Sequence, residues 1–217
     1  MLKQEMREQV VDYGKKLVTS GLTTGTGGNI SVMDRERGLL AVSPSGMDYD
    51  ITTPGDIVLM KPDGTVVQGE RKPSSETPMH RLFYAARPDR NAVVHTHSPA
   101  ITALSCYRKP LPAISYIVAM SGADEIPCAP YRDFGGEELG EAAVAAAGRC
   151  DAVILANHGL VTLGKDLDSA FQLALQLEFC AEIYLRCLAT GQDPIFLTAE
   201  EMARARKRFG TYGQEKE

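Results

Sequence analysis

The chain is 217 residues long, which allows one sizeable hydrophobic core and is rather short for two full domains. Its 44% hydrophobic and 24% charged residues are typical of an ordinary globular protein. A net charge of −5, without a basic run, argues against nonspecific binding to nucleic acid. We therefore expect no nucleic-acid partner, while a small anion remains a candidate ligand.

The first residues, MLKQEMREQVVDYGKK, carry charges throughout and lack the apolar segment of a signal peptide. Apolar stretches in the chain are too short to cross a bilayer, which predicts no membrane partner. The five cysteines are scattered, odd in number and without a CxxC pair, so they indicate reduced thiols. Together these features predict a cytoplasmic protein.

Apolar periodicity predicts the secondary structure in chain order. Met6, Val10, Tyr13 and Leu17 recur at helical spacing, and Gly21 follows the predicted helix. The segments that follow are two short strands around MDRERG, a hairpin of DIVLM and TVVQG around KPDG, a helix over residues 76–87, the strand AVVHTH, a helix after Ser98, the helix GEELGEAAVAAAG, the strands DAVILANHG and LVTLG, and a long helix over residues 167–190.

This alternation predicts one α/β domain over residues 1–217, with helices flanking a central sheet that is at least partly antiparallel. The chain shows no linker, repeat or low-complexity segment that would divide it. A tail from about residue 205 is expected to be flexible.

Two of the four histidines stand one residue apart in NAVVHTHSPA. Because side chains alternate along a strand, His95 and His97 are expected on one face, about 6 to 7 Å apart along it. Two imidazoles in that arrangement can converge on one cation such as zinc. The pair alone is also compatible with two histidines that are merely hydrogen-bonded.

Three further residues extend the candidate metal site. His158 lies in ILANHGL, where an apolar strand ends in a turn, and Glu76 lies in KPSSETPMH near a predicted helix start. A carboxylate with imidazoles is a suitable ligand set for zinc or a similar divalent ion. His80, four residues after Glu76, shares its helical face and could ligate too, although base rates of burial favour an interior histidine.

The segments TGTGGNIS, SPSGM and PSSE are rich in small and hydroxyl-bearing residues, which let backbone N–H groups approach an anion. Each segment alone is most simply a turn, and no GK[ST] follows TGTGGN as a Walker loop would require. The serine pair beside Glu76 would nevertheless place anion donors next to a metal ligand. Five residues are candidate phosphate donors: Asn29, Ser45, Gly46, Ser74 and Ser75.

Six motifs follow one another along the chain: GTGGNIS, SPSGM, PSSE, VVHTHS, IPCAPY and NHG. Their order and spacing resemble the class II aldolase and adducin-head family, and within it most of all the L-fuculose-1-phosphate aldolases. The resemblance runs from about residue 3 to the FGTYG near the C-terminus. It implies a single three-layer α/β/α domain with a central, mainly antiparallel sheet. It also implies a homotetramer with active sites at the subunit interfaces.

Carried over residue by residue, the resemblance implies one zinc ion per subunit held by Glu76, His95, His97 and His158, with His80 outside the ligand set. The substrate phosphate would lie against Asn29, Ser45, Gly46, Ser74 and Ser75. Tyr116 matches a tyrosine that reaches a neighbouring subunit's site. The aldehyde end would be shaped by Phe134, Phe209 and Tyr212.

The implied activity is zinc-dependent retro-aldol cleavage of a sugar phosphate, L-fuculose 1-phosphate or a related 6-deoxy or 5-deoxy ketose 1-phosphate. The products would be dihydroxyacetone phosphate and an aldehyde such as L-lactaldehyde. Glu76 and Tyr116 would be the catalytic proton donors and acceptors. The chain shows no lysine in an obviously buried strand context, which favours metal over Schiff-base chemistry.

Three other functions belong to the same fold. L-ribulose-5-phosphate 4-epimerases typically carry Asp where Glu76 stands, and IPCAPY is more aldolase-like. Methylthioribulose-1-phosphate dehydratases and aldolases of five-carbon deoxy-ketose phosphates differ in the few residues around the sugar's tail, so they stay open. Adducin heads are binding modules that do not keep the whole metal constellation, which makes a non-catalytic role the least favoured.

Overall fold

A computed structural model describes residues 3–211 of the chain. Its helices are α1 (Gln4–Thr19), α2 (Thr77–Ala86), α3 (Pro99–Ser105), α4 (Glu137–Ala147), α5 (Leu167–Leu188) and α6 (Ala199–Phe209), with a 3-10 helix over Tyr116–Ser121. Its strands are β1 (Asn29–Asp34), β2 (Leu39–Val42), β3 (Val58–Met60), β4 (Val66–Gln68), β5 (Ala92–Thr96), β6 (Cys128–Ala129), β7 (Ala152–Leu155) and β8 (Gly159–Gly164).

The eight strands form one sheet in the order β4-β3-β2-β1-β5-β8-β7-β6. Every neighbouring pair is antiparallel except β6 and β7, which are parallel. The predicted, mainly antiparallel central sheet is therefore confirmed. Its central strand β5 carries His95 and has the five-residue burial expected of a strand covered on both faces.

Helices cover the sheet on both sides, so the sheet separates two hydrophobic cores. On one side Val94 packs with residues of α1, α3, α5 and α6, including Val10 and Leu177. On the other side Val93 packs with Phe83 of α2 and residues of α4. Because neighbouring residues of β5 enter opposite cores, the three-layer α/β/α architecture is confirmed.

Three elements in the second half of the chain were not anticipated: the 3-10 helix, the two-residue strand β6 and helix α6. The 3-10 helix contains Tyr116, and α6 extends through residues 205–209, which the sequence analysis assigned to a tail. Helix α6 begins with a capping box between Thr198 and Glu201, and it buries Met202 and Ala205 against the core. Among the helices of residues 3–211, none combines the length with the apolar character that a membrane span requires.

Two glycines allow the chain to close tightly around the end of β5. Gly28 has φ +68°, and a Cβ there would lie 2.6 Å from the carbonyl oxygen of His95. A Cβ on Gly159 would lie 2.1 Å from the carbonyl oxygen of Thr96. Side chains at either position would push away the neighbouring strand, so glycine at both keeps β1 and β8 in register with β5.

Candidate active site

Four side chains meet at the end of β5. Three come from the sheet and the segments that adjoin its strands, and one comes from the start of a helix. Ligand atoms of Glu76, His95, His97 and His158 all lie within 4.8 Å of one another. Glu76 is the N-cap residue of α2, His95 belongs to β5, His97 follows it, and His158 lies in the turn between β7 and β8. The structure thus brings together the four residues that the sequence analysis proposed as metal ligands.

The turn that presents His158 depends on an unusual backbone conformation. Asn157 has φ +54°, in the left-handed region that asparagine tolerates better than most residues. The backbone N–H of His158 donates to the carbonyl oxygen of Leu155 at 3.0 Å, which closes the turn. Arg108 Nε donates to Asn157 Oδ1 at 2.7 Å and holds the turn from outside. The side chain of His158 is thereby directed toward Glu76.

Hydrogen bonding settles which nitrogen of His95 can bind a cation. Its Nδ1 lies 2.9 Å from the carbonyl oxygen of Leu160, which only accepts, so Nδ1 must donate. The lone pair of the neutral ring is then on Nε2, which lies 3.1 Å from Glu76 Oε2 and 2.8 Å from His97 Nε2. The nitrogen of His95 that can bind a cation is therefore the one that lies beside Glu76 and His97.

The electrostatics of the cluster favour neutral imidazoles at His97 and His158 and an ionised carboxylate at Glu76. Burial and the neighbouring His95 lower the pKa of His97 to about 3 and that of His158 to about 4. Burial alone would raise the pKa of Glu76, but His95 and His158 together hold it well below its usual range. Burial would lower the pKa of His95, and the Glu76 carboxylate instead raises it. His97 and His158 are thus ready to donate lone pairs at neutral pH.

The cluster fits a divalent cation. Glu76 Oε1 is buried and makes no hydrogen bond with any described residue, although His158 Nε2 lies 3.4 Å away. A buried carboxylate oxygen without a donor is costly, and a cation would satisfy it. Three imidazole nitrogens with one carboxylate oxygen is a donor set that zinc accepts.

A cavity of about 370 Å³ opens directly onto this cluster. All five predicted phosphate residues line it, as does Phe134. The residues around it are Thr26, Gly27, Gly28, Asn29, Pro44, Ser45, Gly46, Ser74, Ser75, Glu76, His97, Tyr131, Arg132, Phe134, Asn157 and His158. The cavity therefore combines the metal cluster with a hydroxyl-rich wall.

The hydroxyl-rich wall is built from two paired loops. Pro44 and Pro73 form an isolated antiparallel bridge, in which the Ser74 N–H donates to the Ser43 carbonyl oxygen at 3.0 Å. Ser45 and Ser75 are exposed at the mouth, and Ser74 is buried beneath them. The wall can thus offer hydroxyl groups to a ligand without carrying a side-chain charge.

The side chain of Asn29 makes two contacts within the protein that the sequence analysis did not predict. Its Nδ2 donates to Glu76 Oε2 at 2.8 Å, and its Oδ1 lies 2.5 Å from His80 Nε2. An amide nitrogen has two hydrogens, so one remains for a ligand in the cavity. His80 is fully buried outside the cluster, as expected of an interior histidine, and burial lowers its pKa to about 3.

Tyr116 and Phe209 lie elsewhere in the single chain. Their rings stack with centroids 6.0 Å apart, and both line a second cavity of about 830 Å³. Tyr116 is 59% exposed. Neither residue lines the cavity beside Glu76, and Tyr212 lies outside the described residues.

Tyr131, Arg132 and Asn157 line the cavity but were not named by the sequence analysis. Tyr131 and Arg132 come from the loop between β6 and α4, and Asn157 precedes His158. Arg132 places a cation at the cavity, and the Arg108 guanidinium lies 5.8 Å from the centre of the Tyr131 ring. Asn157 and Tyr131 could have been found from their places in the NHG and IPCAPY motifs, whereas no local signal marks Arg132.

The layered fold, the carboxylate–imidazole cluster and the adjoining hydroxyl-lined cavity together are an arrangement suited to a metal-dependent enzyme. The chain belongs to the class II aldolase and adducin N-terminal domain family, whose family model matches residues 8–185. It is a class II aldolase.

Named relatives match over nearly the whole chain. A 5-deoxy-D-ribulose 1-phosphate aldolase of Bacillus thuringiensis is 47% identical over 215 residues, covering 99% of this chain and 100% of the relative. A 5-methylthioribulose-1-phosphate/5-deoxyribulose-1-phosphate aldolase of Rhodospirillum rubrum is 42% identical, covering 96% and 92%. A solved L-fuculose 1-phosphate aldolase superposes with a TM-score of 0.92 at 42% identity, covering 97% and 98%.

Proposed function

We propose that this chain cleaves a 5-deoxy or 6-deoxy ketose 1-phosphate between C3 and C4, with 5-deoxyribulose 1-phosphate and L-fuculose 1-phosphate as the first substrates to test. The products are dihydroxyacetone phosphate and a short aldehyde. The observation that carries the proposal is the junction of the Glu76–histidine cluster with the serine-lined cavity. This junction places a cation site beside a wall suited to a phosphate.

The resident ion in this proposal is zinc, held by Glu76, His95, His97 and His158. Zinc is supported by the predominance of imidazole nitrogen in the donor set. When bound, such an ion supplies Lewis-acid stabilisation of the negative charge that cleavage leaves on C3 and the C2 oxygen, worth several kcal/mol.

The phosphate half of the substrate lies against Ser45, Gly46 and Ser75 at the mouth, with Asn29 and Ser74 beneath them. Hydroxyl and amide hydrogens that line the cavity orient the phosphate without a lysine. The deoxy end of the sugar is apolar, and Phe134 offers an apolar ring in the lining of the same cavity. This contact supports a substrate that ends in a methyl group.

Proton transfer balances the cleavage. The C4 hydroxyl loses its proton as C4 becomes a carbonyl, the C3–C4 bond breaks, and its electron pair stays on C3. C3 then takes one proton to give dihydroxyacetone phosphate. We assign the C3 proton to Glu76, whose Oε1 is free of hydrogen bonds to described residues, and the C4 proton to Tyr116 of a neighbouring subunit.

The assignment of Tyr116 requires an oligomer, and we propose a homotetramer. Support comes from the exposure of Tyr116 and from the fact that, within one chain, it lines a different cavity from the one beside Glu76. A cytoplasmic location is part of the same proposal, since all five cysteines are free thiols and a reducing compartment preserves them.

The test measures dihydroxyacetone phosphate with a coupled reductase and NADH. Purified protein is assayed with 5-deoxyribulose 1-phosphate, L-fuculose 1-phosphate and 5-methylthioribulose 1-phosphate. Each assay is run untreated, after chelation and after zinc is restored. We expect turnover of at least one substrate that disappears on chelation and returns with zinc. Consumption of a substrate without dihydroxyacetone phosphate would contradict the proposal and indicate an isomerase or a dehydratase.

A further inference from the structure

A buried chain of polar side chains runs from Glu76 into the interior of the domain. Asn29 and Ser31 are two residues apart on β1 and therefore share one face of the strand. Glu76, His80 and Tyr84 recur every four residues at the start of α2 and along it, so they share one face of the helix. The two faces meet, and all five residues are buried.

The contacts along this chain are continuous. Asn29 Nδ2 lies 2.8 Å from Glu76 Oε2, and Asn29 Oδ1 lies 2.5 Å from His80 Nε2. Ser31 Oγ lies 2.6 Å from His80 Nδ1 and 2.8 Å from the hydroxyl of Tyr84. Four hydrogen bonds therefore connect the carboxylate to a buried phenol.

The carboxylate fixes the direction of every one of these hydrogen bonds. An ionised Glu76 only accepts, so Asn29 must turn its NH2 group toward it and its Oδ1 toward His80. His80 Nε2 must then carry the proton, and Nδ1 of the buried, neutral ring accepts from the Ser31 hydroxyl. Ser31 in turn accepts from Tyr84. All four donors thus point toward Glu76, which is an arrangement that strengthens each bond by polarisation.

We propose that His80 is a positioning residue for Glu76: by donating to Asn29 it holds the Asn29 amide with its NH2 group on Glu76 Oε2. The inference rests on the proposed function for its link to catalysis. One oxygen of the carboxylate is then held in place, while Oε1 stays free of hydrogen bonds to described residues and faces His158. Outer partners of this kind orient ligands and tune their affinity for a metal.

The test measures zinc affinity of the apoprotein by competition with a chromophoric chelator, which requires no sugar phosphate. His80→Phe removes both bonds of the imidazole and is expected to weaken zinc binding about 10- to 100-fold. His80→Gln can donate to Asn29 and accept from Ser31, so it should bind zinc within about threefold of the unmodified protein.

A double-mutant cycle separates positioning from general damage. In a Glu76→Gln background, His80→Phe should change zinc affinity by less than about twofold, because the group it positions is gone. Thr162→Val is a matched control, since it also removes a buried hydrogen bond, from Thr162 Oγ1 to the Ala170 carbonyl oxygen at 2.8 Å. It should lower the melting temperature and leave zinc affinity unchanged.

If His80→Phe does not fold, Ser31→Ala serves instead, because it removes the hydrogen bond to Nδ1 that holds the His80 ring in place against Asn29. It should weaken zinc binding more than threefold. The inference would be overturned if every folded variant of the two, His80→Phe and Ser31→Ala, bound zinc within twofold of the unmodified protein. It would also be overturned if His80→Phe weakened zinc binding equally in the Glu76→Gln background. A protein that binds zinc as described yet cleaves no ketose phosphate would instead refute the proposed function alone.

Discussion

Glu178 of α5 stabilises the segment that carries His97, and its removal should be costly. Helix α3 begins directly after His97 and Ser98, and the Ser98 side chain makes no cap hydrogen bond to it. The Glu178 carboxylate supplies the cap instead. It accepts from Ser98 Oγ at 2.7 Å, from the Ala100 N–H at 2.7 Å and from the Ile101 N–H at 2.9 Å.

The cost of Glu178→Ala follows from these three bonds. Bonds to a charged group contribute about 1.5 to 3 kcal/mol each when buried, and the part-buried position justifies about 1 kcal/mol for each. The expected loss is therefore about 3 kcal/mol in the free energy of unfolding. For a chain of this size that corresponds to a fall of about 6 to 12 °C in melting temperature.

The measurement is urea and thermal unfolding of the chelated protein at one fixed concentration, so that bound metal and mass action do not differ between samples. Glu182→Ala is the matched control. It lies one turn further along α5, is exposed, and pairs with Arg186 at the helix surface. We expect it to cost less than about 0.5 kcal/mol. A cost below about 1 kcal/mol for Glu178→Ala would show that water caps α3 equally well and would refute this reasoning.

Three further outcomes can be checked on the same protein. Zinc at about 1,000 times its dissociation constant should stabilise the chelated protein by about 4 kcal/mol, seen as a raised melting temperature, and no shift would argue against the metal site. Gly159→Ala should destabilise the fold by more than about 2 kcal/mol in urea, because its Cβ would meet the Thr96 carbonyl oxygen, and a neutral result would show that β8 can move aside. Glu76→Gln and Tyr116→Phe proteins, each nearly inactive, should regain activity when their subunits are exchanged, whereas sites built from one chain would stay inactive.

The Glu76–histidine cluster could be predicted from the sequence because short local motifs carry its residues. The alternation of β5 put His95 and His97 on one side, and the structure brings their ring centroids to 4.6 Å, closer than the strand rise alone requires. His97 lies just beyond β5, where the chain is free to turn its ring toward His95. The four-residue spacing from Glu76 placed His80 near the site but could not show that it contacts Asn29.

What was missed depends on contacts between distant segments. The pairing of Asn29 with His80 spans 51 residues, and that of Glu178 with Ser98 spans 80. Helix α6 was missed for a different reason, because its charged sequence AEEMARARKRF has a narrow apolar stripe. Its capping box, Thr198 with Glu201, was a local signal that could have revealed it.

The loop between β6 and α4 has a consequence for how such a protein diversifies. Tyr131, Arg132 and Phe134 reach the cavity from this exposed loop, while the cation cluster is built on the sheet and the start of α2. Exposed loop positions accept substitution at little cost in stability, and they are separate from the residues that hold the carboxylate and imidazoles in place. Under the proposed function, preference for the sugar's tail can therefore change through a few loop residues while the Glu76–histidine cluster stays untouched, which agrees with relatives being named for different sugar phosphates.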